Sequence, residues 1–178
     1  DSFDSMLRLV WPSGAPIATD ADASHFIESY RRLVLADQTS FLLRAKAERA
    51  GDGWRLTGIA GHPHFASAIQ ELLSRATGEL VESAIRLVPE STFGENCLAV
   101  VRVPMAMTWG EPREGASVQT QLLLGESVFR LDRSEDGSYE LVQGGDGYLG
   151  WVRRDALLPL DPKSWDDWAQ QPSVRVTR

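Results

Sequence analysis

With a single cysteine, Cys97, among 178 residues, the chain can form no intrachain disulfide and no cysteine-rich metal cage. Histidine is almost as scarce, at three residues: His25, His62 and His64. His62-Pro63-His64 offers two metal ligands, with Asp52 or Glu71 as possible additions, whereas zinc sites need three or four supported ligands. A polar loop opening a helix is the preferred reading there. No apolar run approaches the ~20 residues of a membrane helix, and Leu98–Val101 and Leu122–Leu124 are only strand-sized. Excess positive charge is missing too. The net charge is −7, and Arg31-Arg32 and Arg153-Arg154 are the only adjacent basic pairs, so the cationic face needed for nucleic acid is absent. Gly144-Gly145-Asp146-Gly147 is followed by neither Lys-Ser nor Lys-Thr, which removes the phosphate-loop reading and leaves a hairpin turn.

What remains is ordinary globular material, 43% hydrophobic and 24% charged. Residues 1–21, with Trp11-Pro12-Ser13-Gly14 inside them, read as an irregular arm. Asp20 or Asp22 is placed to cap a helix that runs to about Leu35, because Phe26, Ile27, Tyr30, Leu33 and Val34 share a face. Alternation over Phe41–Arg49, the turn Gly51-Asp52-Gly53 and the run Trp54–Ile59 predict a hairpin. Pro63 suits a first helical turn, Phe65, Ala68, Ile69, Leu72 and Ala76 share a face, and Gly78 suits a C-cap. Val81–Val88 then reads as a strand. Residues 22–90 are thus expected to form a small α+β domain of order α-β-β-α-β.

Glu90–Asn96 is polar and reads as the linker between domains. Beyond it come strand-like runs at Leu98–Val103, Thr120–Leu124, Ser127–Leu131, Tyr139–Val142, Tyr148–Val152 and Ala156–Leu160, with a long loop expected over Pro104–Val118. Short strands joined by Gly- and Asp-rich turns are the pattern of a small all-β barrel over residues 97–160. Residues 161–178 are left as a tail or linker.

Three segments carry a family resemblance: Ala99–Pro104 (AVVRVP), Thr120–Glu126 (TQLLLGE) and Asp146–Val152 (DGYLGWV). With them, residues 97–160 resemble the bacterial SH3 domain (SH3b) that precedes the catalytic domain in NlpC-type cell-wall cysteine peptidases. Tyr139–Val142 (YELV) stands where that family has a tryptophan and a valine strand. Residues 22–90 resemble the BON domains of bacterial envelope proteins through Gly53–Gly58 (GWRLTG), the following helix and Val81–Val88. A generic α+β domain of the same element order is the other reading of that half.

The resemblance implies a non-catalytic module of the exported cell envelope or periplasm. It would recognise peptidoglycan stem peptides for a cell-wall peptidase, whose catalytic domain would follow, or as a free-standing relative. No cofactor is implied. The chain opens on Asp1, which is compatible with a leading segment that was removed or lies outside this sequence. In those peptidases the SH3 module helps hold the free amino end of a wall peptide, and this role carries over to Tyr148 and Glu126. From the residues themselves, an aromatic with a polar tip suits glycopeptide recognition. Trp109, Tyr148 and Trp151 are the candidates, with Glu111 and Glu114 as loop carboxylates able to meet an amine. Strand alternation makes one of Tyr148 and Trp151 core, and Trp151 is the expected one.

Two rival functions stand beside this. One is an envelope protein–protein adaptor, with the α+β half as docking surface and the barrel as scaffold. The other is a cysteine hydrolase using Cys97 with His62 or His64. The family nucleophile lies in Asp-Cys-Ser-Gly at a helix start, whereas Cys97 sits in Glu95–Leu98 (ENCL) entering a strand, so a buried apolar role is preferred.

Overall fold

The structure, a computed structural model, describes residues 2–35, 37 and 39–172, and they divide into two units at Val88/Pro89. In the first unit, α1 (Ser2–Val10) and α2 (Asp20–Val34) precede the hairpin β1 (Leu43–Ala50) and β2 (Gly53–Ala60). Helix α3 (Pro63–Thr77) then leads to β3 (Val81–Leu87). The sheet order is β1-β2-β3. β1 and β2 are antiparallel, β2 and β3 parallel, and the parallel pair requires the crossover that α3 provides.

Local chemistry sets these boundaries. Thr19 caps α2 through a capping box: its Oγ1 accepts from the Asp22 N–H at 3.2 Å, and Asp22 Oδ2 accepts from the Thr19 N–H at 2.9 Å. Helix α3 starts at Pro63 and stops at Gly78, whose φ of 70° is the left-handed conformation of a C-cap. Phe26 and Tyr30 of α2, Leu43 of β1, Trp54 and Leu56 of β2, and Ile69, Leu72 and Leu73 of α3 form the buried core.

The arm expected at the N-terminus is instead helix α1. Phe3, Met6, Leu7 and Val10 recur at helical spacing and pack on this core, and Arg75 of α3 pairs with Asp4 at 2.9 Å.

The second unit is a single antiparallel seven-stranded sheet of order β10-β4-β7-β8-β9-β5-β6. Its strands are β4 (Leu98–Val101), β5 (Met105–Trp109), β6 (Val118–Leu123), β7 (Ser127–Arg133), β8 (Tyr139–Gly144), β9 (Leu149–Arg153) and β10 (Leu157–Leu160). One face buries Ala99, Val101, Ala106, Leu122, Val128, Val142, Val152 and Leu157. Among the described residues the strand ladder runs from β10 to β6, a β-rich unit of the kind expected over residues 97–160.

Three further segments differ from expectation. The loop over Pro104–Val118 contains β5, because Met105–Trp109 alternates and pairs antiparallel with β6, Ala106 opposite Leu122. The linker Glu90–Asn96 belongs to the second unit, where Ser91–Phe93 makes a 3-10 turn and Phe93 is buried. The tail holds helix α4 (Pro162–Ala169), capped by Asp161, whose carboxylate accepts from the Ser164 N–H at 2.7 Å. Residues 173–178 of that tail lie outside the described residues.

Candidate functional site

The hairpin β5–β6 folds back so that Trp109 stands opposite Trp151 of β9. Gly150 makes this approach possible. A Cβ there would lie 2.6 Å from Thr108 Cβ, well inside any real contact. Thr108 is itself buried and holds β6, donating to the Thr120 carbonyl and accepting from the Thr120 N–H, both at 3.0 Å.

A cleft of about 320 Å³ opens beside this crossing. Its floor is apolar: Val103, Met105, Ala106, Met107, Trp109, Val152 and Ala156. Its rim carries Glu114, Arg153 and Asp155. Arg153 grips Asp155 with two parallel bonds, Nε to Oδ1 at 3.1 Å and Nη2 to Oδ2 at 2.7 Å. Its Nη1 lies 3.5 Å from Glu114 Oε1, which ties the β5–β6 loop to the turn after β9. Hydrogen bonding to Asp155 raises the Arg153 pKa, and the same bond lowers that of Asp155. The rim thus sets two carboxylates around one guanidinium, and Arg102 also acts on Asp155 through its charge. A narrow apolar slot under such a rim suits a small side chain next to an amine.

Of the residues singled out in the sequence, the structure brings Trp109 and Glu114 into this cleft. Trp151 is 6% exposed and Tyr148 is 42% exposed. Tyr148 does not line the cleft; it follows the β8–β9 turn, its N–H bonded to Asp146 Oδ1 at 3.0 Å. Glu111 is exposed and pairs with Arg113 at 2.9 Å. Glu126 accepts from the Leu123 N–H at 3.1 Å and braces the β6–β7 turn. Neither lines the cleft. Met105, Met107, Arg153 and Asp155 were not singled out. The alternation of Met105–Trp109 and the Arg153-Arg154-Asp155 spacing were the signals available.

Residues 110–157 match the family described as the bacterial dipeptidyl-peptidase Sh3 domain. The match supports a bacterial SH3 domain in this unit and suggests a non-catalytic cell-wall binding module in a peptidase-associated setting. It runs from the end of β5 into β10, so Glu114, Val152, Arg153, Asp155 and Ala156 of the cleft fall inside it and the Val103–Trp109 wall lies before it. Comparison with curated proteins gave no match.

Elsewhere, Cys97 is half-buried before β4 in the second unit, and all three histidines belong to the first. His62 caps α3, its Nδ1 accepting from the His64 N–H at 3.2 Å. Among the described residues no three His, Cys, Asp or Glu side chains gather as metal ligands.

Proposed function

We propose that this chain is a non-catalytic envelope module whose Trp109 cleft holds the amine-bearing end of a peptidoglycan stem peptide. In this reading it positions wall peptides for an NlpC-type cell-wall peptidase, or acts as a free-standing relative, in the exported envelope or periplasm. One observation carries the reading: within an SH3-like unit, a tryptophan- and methionine-floored slot sits under a rim that presents the Glu114 and Asp155 carboxylates. Small apolar groups such as an alanine methyl fit the floor, and Glu114 and Asp155 attract the neighbouring ammonium. Tyr148, exposed on the β8–β9 turn, would contact a longer ligand beyond the slot, and Glu111 and Glu126 take no part in the slot because neither lines it. The α2-β1-β2-α3-β3 order of the first unit is compatible with a BON-like docking domain.

Titration with purified muropeptides, followed by calorimetry, tests the proposal. Removal of a central aromatic anchor costs about 2 kcal/mol, so Trp109→Ala should weaken binding roughly 30-fold. The absence of saturable binding, or unchanged affinity in that variant, would refute it.

A further inference from the structure

The second unit has another charged cleft, of about 360 Å³, lined by Phe93, Asn96, Arg130, Arg133, Pro159 and Asp161. Behind it lies Glu140, which is fully buried. Arg130 donates to both its oxygens, Nε to Oε2 at 2.6 Å and Nη2 to Oε1 at 2.8 Å, and spends Nη1 on the Asn96 carbonyl at 2.7 Å. Arg133 Nη2 reaches the same Oε1 at 3.1 Å, and Arg154 Nε stands 3.8 Å from it. Three guanidinium groups thus share one carboxylate, which leaves a positive surplus beside Asp161, itself under the charge of Lys163.

The donors are as uneven as the charges. A guanidinium has five N–H groups, and Arg133, with its side chain 40% exposed, commits one of its nitrogens to Glu140. The Phe93 ring lies 4.5 Å from the Arg130 guanidinium carbon and 5.5 Å from that of Arg133, which fixes both groups at the cleft wall. The result is a held fork with unspent donors facing open space.

The geometry points to a binding site for a single carboxylate group, that of an amino acid or a peptide C-terminus, with Arg133 as the fork. The planar Arg133 fork matches the two oxygens of one carboxylate, and a phosphate dianion meets stronger repulsion from Asp161, whose carboxylate stands on the same wall. This site is separate from the Trp109 cleft and does not depend on what that cleft binds.

The test uses the ¹⁵N-labelled full chain titrated with N-acetylalanine, alanine, alaninamide and inorganic phosphate. Backbone amides of residues 93–96 and the Arg133 Nε–H should shift saturably with N-acetylalanine and not with alaninamide. Arg133→Gln should weaken this binding at least tenfold, while Trp109→Ala leaves it unchanged. Should Arg133→Gln fail to fold, Arg133→Lys, which keeps the charge and loses the fork, serves in its place and is expected to weaken binding at least threefold. N-acetylalanine binding as tightly as alanine supports a peptide end as the source, and tighter alanine binding supports a free amino acid. Absent saturation, an equal response to alaninamide, tighter binding of phosphate, or no effect of the Arg133 variant would each overturn the assignment.

Discussion

Replacing Glu140 with alanine should destabilise the second unit more than any other single change to a charged residue there. Glu140 is 0% exposed and Arg130 only 4%, and the two are joined by bonds of 2.6 and 2.8 Å. Truncating the carboxylate leaves the Arg130 charge buried, with the Asn96 carbonyl and the Phe93 ring still against it. Breaking such a pair from one side costs about 3–5 kcal/mol. In a domain of this size each 1 kcal/mol corresponds to roughly 4–8 °C in Tm, so the unit should melt at least ~12 °C lower. The double variant Arg130→Met with Glu140→Leu removes both charges, and the desolvation cost with them, and should fall within about 1.5 kcal/mol of the parent. Amide hydrogen exchange across β7, β8 and β9 reads this unit separately from the first. The reasoning fails if Glu140→Ala costs less than about 1 kcal/mol, or if the double variant is as damaged as the single one. The pH dependence follows in sign. Burial acts to raise the Glu140 pKa, but hydrogen bonds and charge from Arg130 and Arg133 outweigh it and hold it below the ordinary value. Its contribution is therefore complete at neutral pH and is lost as pH falls through the depressed folded value, so parent and Glu140→Ala should converge in acid.

Two other predictions concern turns and crossings. Gly150→Ala would put a methyl 2.6 Å from Thr108 Cβ, so it should cost about 1–3 kcal/mol by overpacking and weaken ligand binding at the Trp109 cleft; Gly145→Ala, with nothing within 4 Å, is the control, and equal melting temperatures for the two would contradict the crossing described. Asp136, bonded by the Ser134 and Ser138 hydroxyls, has its pKa lowered to about 2, so whatever it adds to the β7–β8 turn is intact above the ordinary aspartate range and lost as pH falls through about 2; carboxyl ¹³C NMR should show this, with Ser134→Ala moving the midpoint upward, and an ordinary midpoint in the parent would refute it.

Much of the first unit was legible because its signals are local. Pro63 and Gly78 bracket α3, Gly51-Asp52-Gly53 turns the hairpin, and the apolar face of α2 is regular. Helix α1 was hidden because its apolar positions span only nine residues and run straight into Trp11-Pro12-Ser13-Gly14. Strand β5 was hidden because Pro104, Gly110 and Pro112 punctuate its surroundings as they would a loop. In the cleft, Trp109 and Glu114 could be named from side-chain chemistry alone. Arg153 and Asp155 could not, since their part depends on a loop 39 residues upstream of Arg153 returning to meet them. The Glu140 cluster was invisible for a related reason. Charged residues usually face water, and only the folded sheet shows that Arg130 and Glu140 share its inner side.

Calorimetric titration of the full chain with a stem peptide bearing a free amino end, beside the same peptide N-acetylated, tests the central claim most directly. The Glu114 and Asp155 carboxylates over the Trp109 floor predict saturable binding of the free amine and at least tenfold weaker binding once it is acetylated. Equal affinity for the two forms, or no binding of either, would contradict it.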